Sequence, residues 1–209
     1  EAKIAGLEIH PSRVQVKRVS YQQAEGELTR EPFLSLLLIT EAYRRRRKGN
    51  GALFIDLPEV KIRVEDGSVR IDQLPDLDSR KMVREAMLMA GEAAAGFALE
   101  NELPFPYVIQ DPPSREVKAQ VFQGRAIEEG TPAYYFALRR SAQRSRVSSG
   151  PGAHSGLGLP NYSRVTSPIR RYLDLAAHQQ LRAFIGSGEL IPEEAMLESL
   201  GAAEAVTSS

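Results

Sequence analysis

The sequence predicts an α/β chain in which helices alternate with short strands, and three stretches carry that prediction. Residues 79–101 hold apolar and small side chains at helical spacing. Residues 60–71 alternate strictly around an Asp-Gly turn, the pattern of a β-hairpin. Residues 154–178 run from a glycine-rich loop through Ser167-Pro168 into a further helical pattern. At 209 residues the chain is one large domain or two small ones, long enough to bury a core. Its 42% hydrophobic and 26% charged content is that of a globular protein.

Lys+Arg and Asp+Glu balance at 27 each, so a nucleic-acid surface must come from local clustering rather than net charge. No run reaches the ~20 apolar residues that span a bilayer. The longest, Leu34 to Thr40, is broken by Ser35. The sequence has no Cys, hence no disulfide and no thiolate metal site, which fits a reducing cytoplasm. It opens on Glu1-Ala2-Lys3, without Met or a signal peptide, and reads as the interior of a larger protein.

Taken in order, the alternation around Val14 and Val16 predicts a strand within residues 6–19. Ser20 and Gln23 form a capping box for a short helix over 21–28. Pro32 and Gly49 delimit a second helix over 32–47, with Leu34, Leu37, Leu38 and Ala42 on its buried face. That helix ends in Arg44-Arg45-Arg46-Arg47-Lys48, which either complements the helix dipole from solvent or forms a rim that tracks phosphates. Ala52-Leu53-Phe54-Ile55 is consistent with a strand, and the hairpin after it is expected to bury one face. In the long helix, Met82, Ala86, Met89, Ala90, Ala93 and Phe97 form the apolar stripe, and Gly91 permits close packing. Residues 104–107 read as extended, 111–114 as a turn, and 117–129 are ambiguous. Ala133–Leu138 reads as a buried strand, followed by a second basic patch of Arg139, Arg140, Arg144 and Arg146.

Ser167 is a good N-cap and Pro168 a favoured first helical residue, so a helix is expected from there to Ile185. Its core face would hold Ile169, Leu173, Ala177, Leu181 and Phe184, with Arg170, Asp174 and His178 on the neighbouring stripe. Two arginines at a helix start suit a phosphate; the alternative is that Arg170 pairs with Asp174 and Arg171 is solvated. Gly186-Ser187-Gly188 ends the helix, and Pro192-Glu193-Glu194 opens an acidic last one.

The stretch HSGLGLPNYSRVTSPIRRYLDLAAHQQL resembles the signature of the ribonuclease II (RNB) family of exoribonucleases. The resemblance implies an α/β RNB-type catalytic domain, a curved mixed sheet around a long helix, with these residues as its C-terminal portion. It implies processive, magnesium-assisted 3′→5′ hydrolysis of single-stranded RNA to nucleoside 5′-monophosphates. On that resemblance Arg170 contacts the scissile phosphate and Phe54 stacks at the 3′ end. Glu85, in a stretch where Arg84 replaces the family's first glutamate, orients the terminal nucleotide. Tyr162, Ser167 and Arg171 belong to the motif and count with Arg139 and Arg140 as RNA-contacting positions. Tyr172 is expected to pack and His178 to be a hydrogen-bonded helix residue. The family's run of metal-binding aspartates is not in this sequence. The nearest imitation, Asp72, Asp76 and Asp78, reads as structural, so Mg2+ ligands and OB-type RNA-binding domains are expected elsewhere in the parent protein. Two other readings stay open: a non-catalytic RNA-binding relative that kept the fold, and an anion-binding module that uses only the start of the Arg170 helix.

Overall fold

The computed structural model describes residues 3–55, 57, 60–65, 67–113, 121–122 and 125–207. Two helices come first, α1 (Tyr21–Glu25) and α2 (Phe33–Gly49). The capping box forms as expected, Ser20 Oγ accepting the Gln23 N–H while Gln23 accepts the Ser20 N–H. The residues before it are extended but unpaired, and Val14 and Val16 are exposed, so no strand forms there. An antiparallel hairpin follows, β1 (Val60–Glu65) and β2 (Ser68–Gln73), with Ile62 opposite Ile71 and Val64 opposite Val69. Both of its faces are exposed, against the expectation of one buried face. Asp66 of the turn lies outside the described residues.

The long helix α3 (Asp78–Glu100) spans nearly the predicted range. Its buried side is offset from the predicted stripe and runs through Met82, Glu85, Gly91, Glu92, Ala94, Ala95 and Ala98. Two buried glutamates explain the offset, because apolar periodicity cannot mark a core position that holds a paired charge. Strand β3 (Tyr107–Ile109) then pairs antiparallel with β6 (Arg146–Ser148). Between them lie a two-residue pair, β4 (Val121–Phe122) with β5 (Arg125–Ala126), and helix α4 (Pro132–Ser141).

Helix α4 replaces the strand predicted over 133–138. Thr131 Oγ1 caps it through the Tyr134 N–H at 3.2 Å, and Pro132 occupies its first turn. A capping threonine followed by proline is a helix-start signal that outweighs a short apolar run. The α/β class holds, and among the described residues the strands form three two-stranded antiparallel sheets.

Helices α5 (Tyr172–Ile185) and α6 (Glu193–Thr207) close the chain. The main core joins Ala94, Ala95 and Ala98 of α3 to Leu103, Phe105, Tyr107 and to Ala177 and Leu181 of α5. Buried Gln180 staples α5 to both flanks: it donates to the Pro104 and Ile191 carbonyls at 2.9 and 2.8 Å and accepts the Ile191 N–H. No described helix is long and apolar enough to cross a membrane.

Candidate nucleic-acid interface

The glycine loop is shaped by what presses on it. Gly158 has φ +64°, and a Cβ there would sit 2.5 Å from the Arg47 carbonyl oxygen and 3.0 Å from Ala52. Only glycine permits that backbone conformation together with that approach. At Gly156 a side chain would collide with the Gln110 amide, which accepts the Gly156 N–H at 2.8 Å. The loop is tied to the end of α2 by Asn50, whose amide donates to the Gly158 carbonyl at 3.2 Å. The Leu53 N–H donates to the Gly156 carbonyl at 2.9 Å. Residues 52–55 are thus held as an extended segment without strand pairing, which sets the position of Phe54.

The basic run at the end of α2 divides by helical period. Arg47 turns inward, 3% exposed, donates to the Leu157 carbonyl at 2.7 Å and pairs with Glu85, itself 2% exposed. Arg46 pairs with Glu92. Arg44, Arg45 and Lys48 face outward. The run is therefore partly a structural anchor and partly an outward cationic rim, where the sequence offered one or the other. Phe54 lies beneath two guanidiniums, with Arg44 at 4.9 Å and Arg47 at 5.4 Å from its ring centroid. Its face is thus already engaged in cation–π contact.

Glu85 sits in the interior. One carboxylate oxygen is taken by Arg47; the other makes no hydrogen bond, with Arg84 Nε 3.9 Å away. In this conformation it holds Arg47 rather than presenting a free carboxylate to solvent.

Helix α5 begins at Tyr172, not after Ser167. Ser167-Pro168-Ile169-Arg170 is instead a turn, in which the Arg170 and Arg171 N–H groups both donate to the Ser167 carbonyl at 3.2 and 3.1 Å. Proline favours the second position of a β-turn as well as a helix start. Here the turn wins because Asp174, fully buried, reaches back to accept the Ser167 N–H at 2.7 Å. Ile169 consequently stands at the corner, fully exposed rather than in the core, and Phe184 is also exposed. Arg170 leaves the stripe of Asp174 and His178. Both guanidiniums are exposed, and neither forms an ion pair with a described residue. His178 Nε2 bonds the Val165 carbonyl at 2.7 Å, as expected of a helix histidine, whereas Tyr172, expected to pack, is exposed.

Tyr162 connects the two regions. Its ring meets His154 edge-on at 5.8 Å, and there is no room for a side chain on Gly91 beneath it. Burial raises its hydroxyl pKa, and the charges of Arg164, Asp174, Arg171 and Arg47 all act on it. His154 is held neutral, its pKa pushed down to about 4 by burial, with smaller contributions from Arg164 and Arg47. The structure thus brings Phe54 together with the α2 cations, and Tyr162 together with Arg171 and Asp174, with Arg47 near both groups. Arg139 and Arg140 are exposed at the end of α4, where Arg140 lies 5.9 Å from the Phe136 ring centroid. Sequence reasoning missed Asp174 as the organiser of the Arg170 turn, because a buried acceptor leaves no periodic signal. It missed Tyr134 and Tyr135 because their segment reads as a strand.

Among the described residues no three His, Asp or Glu side chains converge into a set that could hold a metal ion. Asp76 and Asp78 both pair with Lys81, at 2.7 and 3.1 Å, and Asp72 pairs with Arg70 at 2.9 Å. These aspartates serve ion pairs and do not fit a magnesium site.

Outward cations and aromatic rings thus share a surface of an α/β scaffold. The RNB domain family matches residues 1–187, and the chain belongs to that family. It is 37% identical over 183 residues to the uncharacterized ribonuclease sll1290 of Synechocystis, covering 84% of this chain and 26% of that protein. It is 32% identical over 189 residues to the chloroplastic/mitochondrial ribonuclease II of Arabidopsis thaliana, covering 83% of this chain and 22% of that protein. The chain thus spans about a quarter of the length of these relatives. The fold is similar to an active-site mutant of the Dss1 exoribonuclease from Candida glabrata (TM-score 0.73, 19% identity, 88% of this chain and 26% of that one). It is also similar to Mycoplasma genitalium RNase R in complex with ribose-methylated single-stranded RNA (0.64, 20%, 78% and 32%). A third likeness is to yeast Ssd1, a pseudonuclease (0.58, 15%, 85% and 26%).

Proposed function

We propose that the chain is the C-terminal portion of the catalytic domain of a processive 3′→5′ exoribonuclease, which releases nucleoside 5′-monophosphates from single-stranded RNA in the cytoplasm. The observation that carries it is the turn at 167–170. Two guanidiniums without ion-pair partners among the described residues stand on a backbone that buried Asp174 locks from behind. A cation carried on a fixed backbone without a counter-charge suits the charge that develops on a phosphate during hydrolysis. In this reading Arg170 contacts the scissile phosphate and Arg171 with the Ser167 region grips its neighbour. Phe54 and its covering arginines supply stacking, and Arg139 and Arg140 line the approach. Glu85 acts indirectly by positioning Arg47. Magnesium, with ligands elsewhere in the parent protein, would supply charge neutralisation and an activated water; OB-type domains would add RNA affinity.

The test is release of 5′-monophosphates from 3′-labelled RNA with magnesium, beside EDTA and Arg170→Ala. Both are expected to abolish release, the variant losing about 10²–10³ in kcat. Undiminished cutting by Arg170→Ala would sink the assignment. A second reading, an RNA-binding relative without catalysis, is favoured by the likeness to the pseudonuclease Ssd1. It predicts RNA retention with no release under any metal.

A further inference from the structure

Backbone bonds to other elements carry the chain as far as Ser163. The Val108 N–H donates to the Tyr162 carbonyl at 2.8 Å, and the Ser163 N–H to the Gly91 carbonyl at 3.2 Å. From Arg164 to Arg170, among the described residues, backbone–backbone bonds stay within the 167–171 turn. Two side chains of α5 take over there. His178 Nε2 lies 2.7 Å from the Val165 carbonyl; a carbonyl only accepts, so this nitrogen carries the hydrogen. Asp174 Oδ1 accepts the Ser167 N–H, also at 2.7 Å. The two residues stand one helical turn apart and so share a face of α5. The helix that carries them is itself fixed, with Ala177 in the main core and Gln180 tied to the Pro104 and Ile191 carbonyls.

Stability does not account for this arrangement. Asp174 is fully buried, and its Oδ2 has no hydrogen-bond partner among the described residues. A single protein hydrogen bond is a small return for taking a carboxylate out of water. What the arrangement supplies is position. It fixes the main chain at Val165 and Ser167, immediately before the two arginines of the turn. We propose that His178 and Asp174 are positioning residues, a two-point clamp that sets the 167–171 turn and, through it, Arg170. The inference rests on the exoribonuclease reading above for what Arg170 does. To that reading it adds His178, as a residue that acts on the reaction without touching RNA. A misplacement of about 1 Å can cost about 10²-fold in rate, so the clamp acts on kcat more than on KM.

The protein carrying these 209 residues is assayed for 5′-monophosphate release as wild type, His178→Leu and His178→Gln, each with Arg170 intact and with Arg170→Ala. His178→Leu should lower kcat about 10–10²-fold and leave KM within about threefold. His178→Gln, whose amide can donate to the same carbonyl, should return most of the rate. On Arg170→Ala the loss from His178→Leu should shrink to within about twofold, because nothing is left to position. An equal loss in both backgrounds, or a glutamine variant no better than the leucine one, overturns the positioning role. Hydrogen exchange on the unmodified protein keeps the test independent of variant folding. The Ser167 N–H, bonded to Asp174, should exchange at least about tenfold more slowly than that of exposed Thr166, and equal rates overturn the clamp. If Ser167 is protected while RNA is not cut, the exoribonuclease reading fails and the clamp stands. If RNA is cut while Ser167 is unprotected, the reverse holds.

Discussion

Arg47 shows how one side chain can be structural inside a run that looks like a binding surface. It joins α2 to Glu85 of α3 and to the Leu157 carbonyl of the glycine loop. A buried pair is weak support for net stability, but breaking one leaves a naked charge. Arg47→Met is therefore expected to destabilise by about 3–5 kcal/mol, and Arg47→Met with Glu85→Leu to recover most of that. Chemical denaturation checks it; a double variant no better than the single would show that the pair's worth lies in packing. His154 gives a second expectation. Its folded pKa of about 4 lies below the ordinary 6.5, so between those values the unfolded chain binds more protons than the folded one. Stability is full above about pH 6.5 and falls as pH drops toward about 4, by on the order of 3 kcal/mol at most. Melting the wild type and His154→Gln across that window should show a steeper acid decline in the wild type.

Among the elements, α3 and the 162–163 segment are in close contact. The Ser163 N–H donates to the Gly91 carbonyl at 3.2 Å, and a Cβ on Gly91 would lie 2.5 Å from the Ser163 carbonyl oxygen and against the Tyr162 ring. Gly91→Ala is expected to cost about 1–3 kcal/mol or more and to displace Tyr162; thermal melts and the near-ultraviolet tyrosine signal report both, and an unchanged melt would refute the contact. This close approach is legible in the sequence as a glycine within a small-residue stripe, as are the capping box at Ser20 and the hairpin register. The segment over 133–138 is open to misreading because six apolar residues suit either period, and the Thr131-Pro132 start is the deciding signal. The start of α5 is displaced from its expected place because Ser-Pro opens turns and helices alike, and only Asp174, seven residues on, decides between them. The motif does mark Arg170, Arg171 and Tyr162, but their spatial grouping depends on contacts that no local pattern encodes.

For the molecule as a whole, a formal charge of zero conceals separation. Several acidic groups are spent on ion pairs, Glu85 and Glu92 with arginines and Asp76 and Asp78 with Lys81. Arg44, Arg45, Lys48, Arg139, Arg140, Arg170 and Arg171 remain outward. RNA affinity should therefore fall linearly in log–log terms with salt. Arg139→Gln/Arg140→Gln should flatten the slope by about 0.7 for each phosphate that these arginines neutralise. Anisotropy titrations over a salt series measure it, and an unaltered slope removes both residues from the interface. The exposed apolar face of the β1–β2 hairpin, Val60, Ile62, Val64, Val69 and Ile71, belongs to the same scale, on a chain spanning a quarter of its relatives.

The contact between Arg47 and Leu157 bridges 110 positions along the chain, and that separation has a consequence during synthesis. Contacts so distant in sequence pay their loop-closure entropy late, and a chain growing from its N-terminus makes Arg47 long before it makes the carbonyl that receives it. Until the glycine loop has left the ribosome, the cation that orders this surface lacks the carbonyl that fixes it. The surface that Arg47 organises is therefore completed late in synthesis, after the residues of α2, α3 and α4 have all been made.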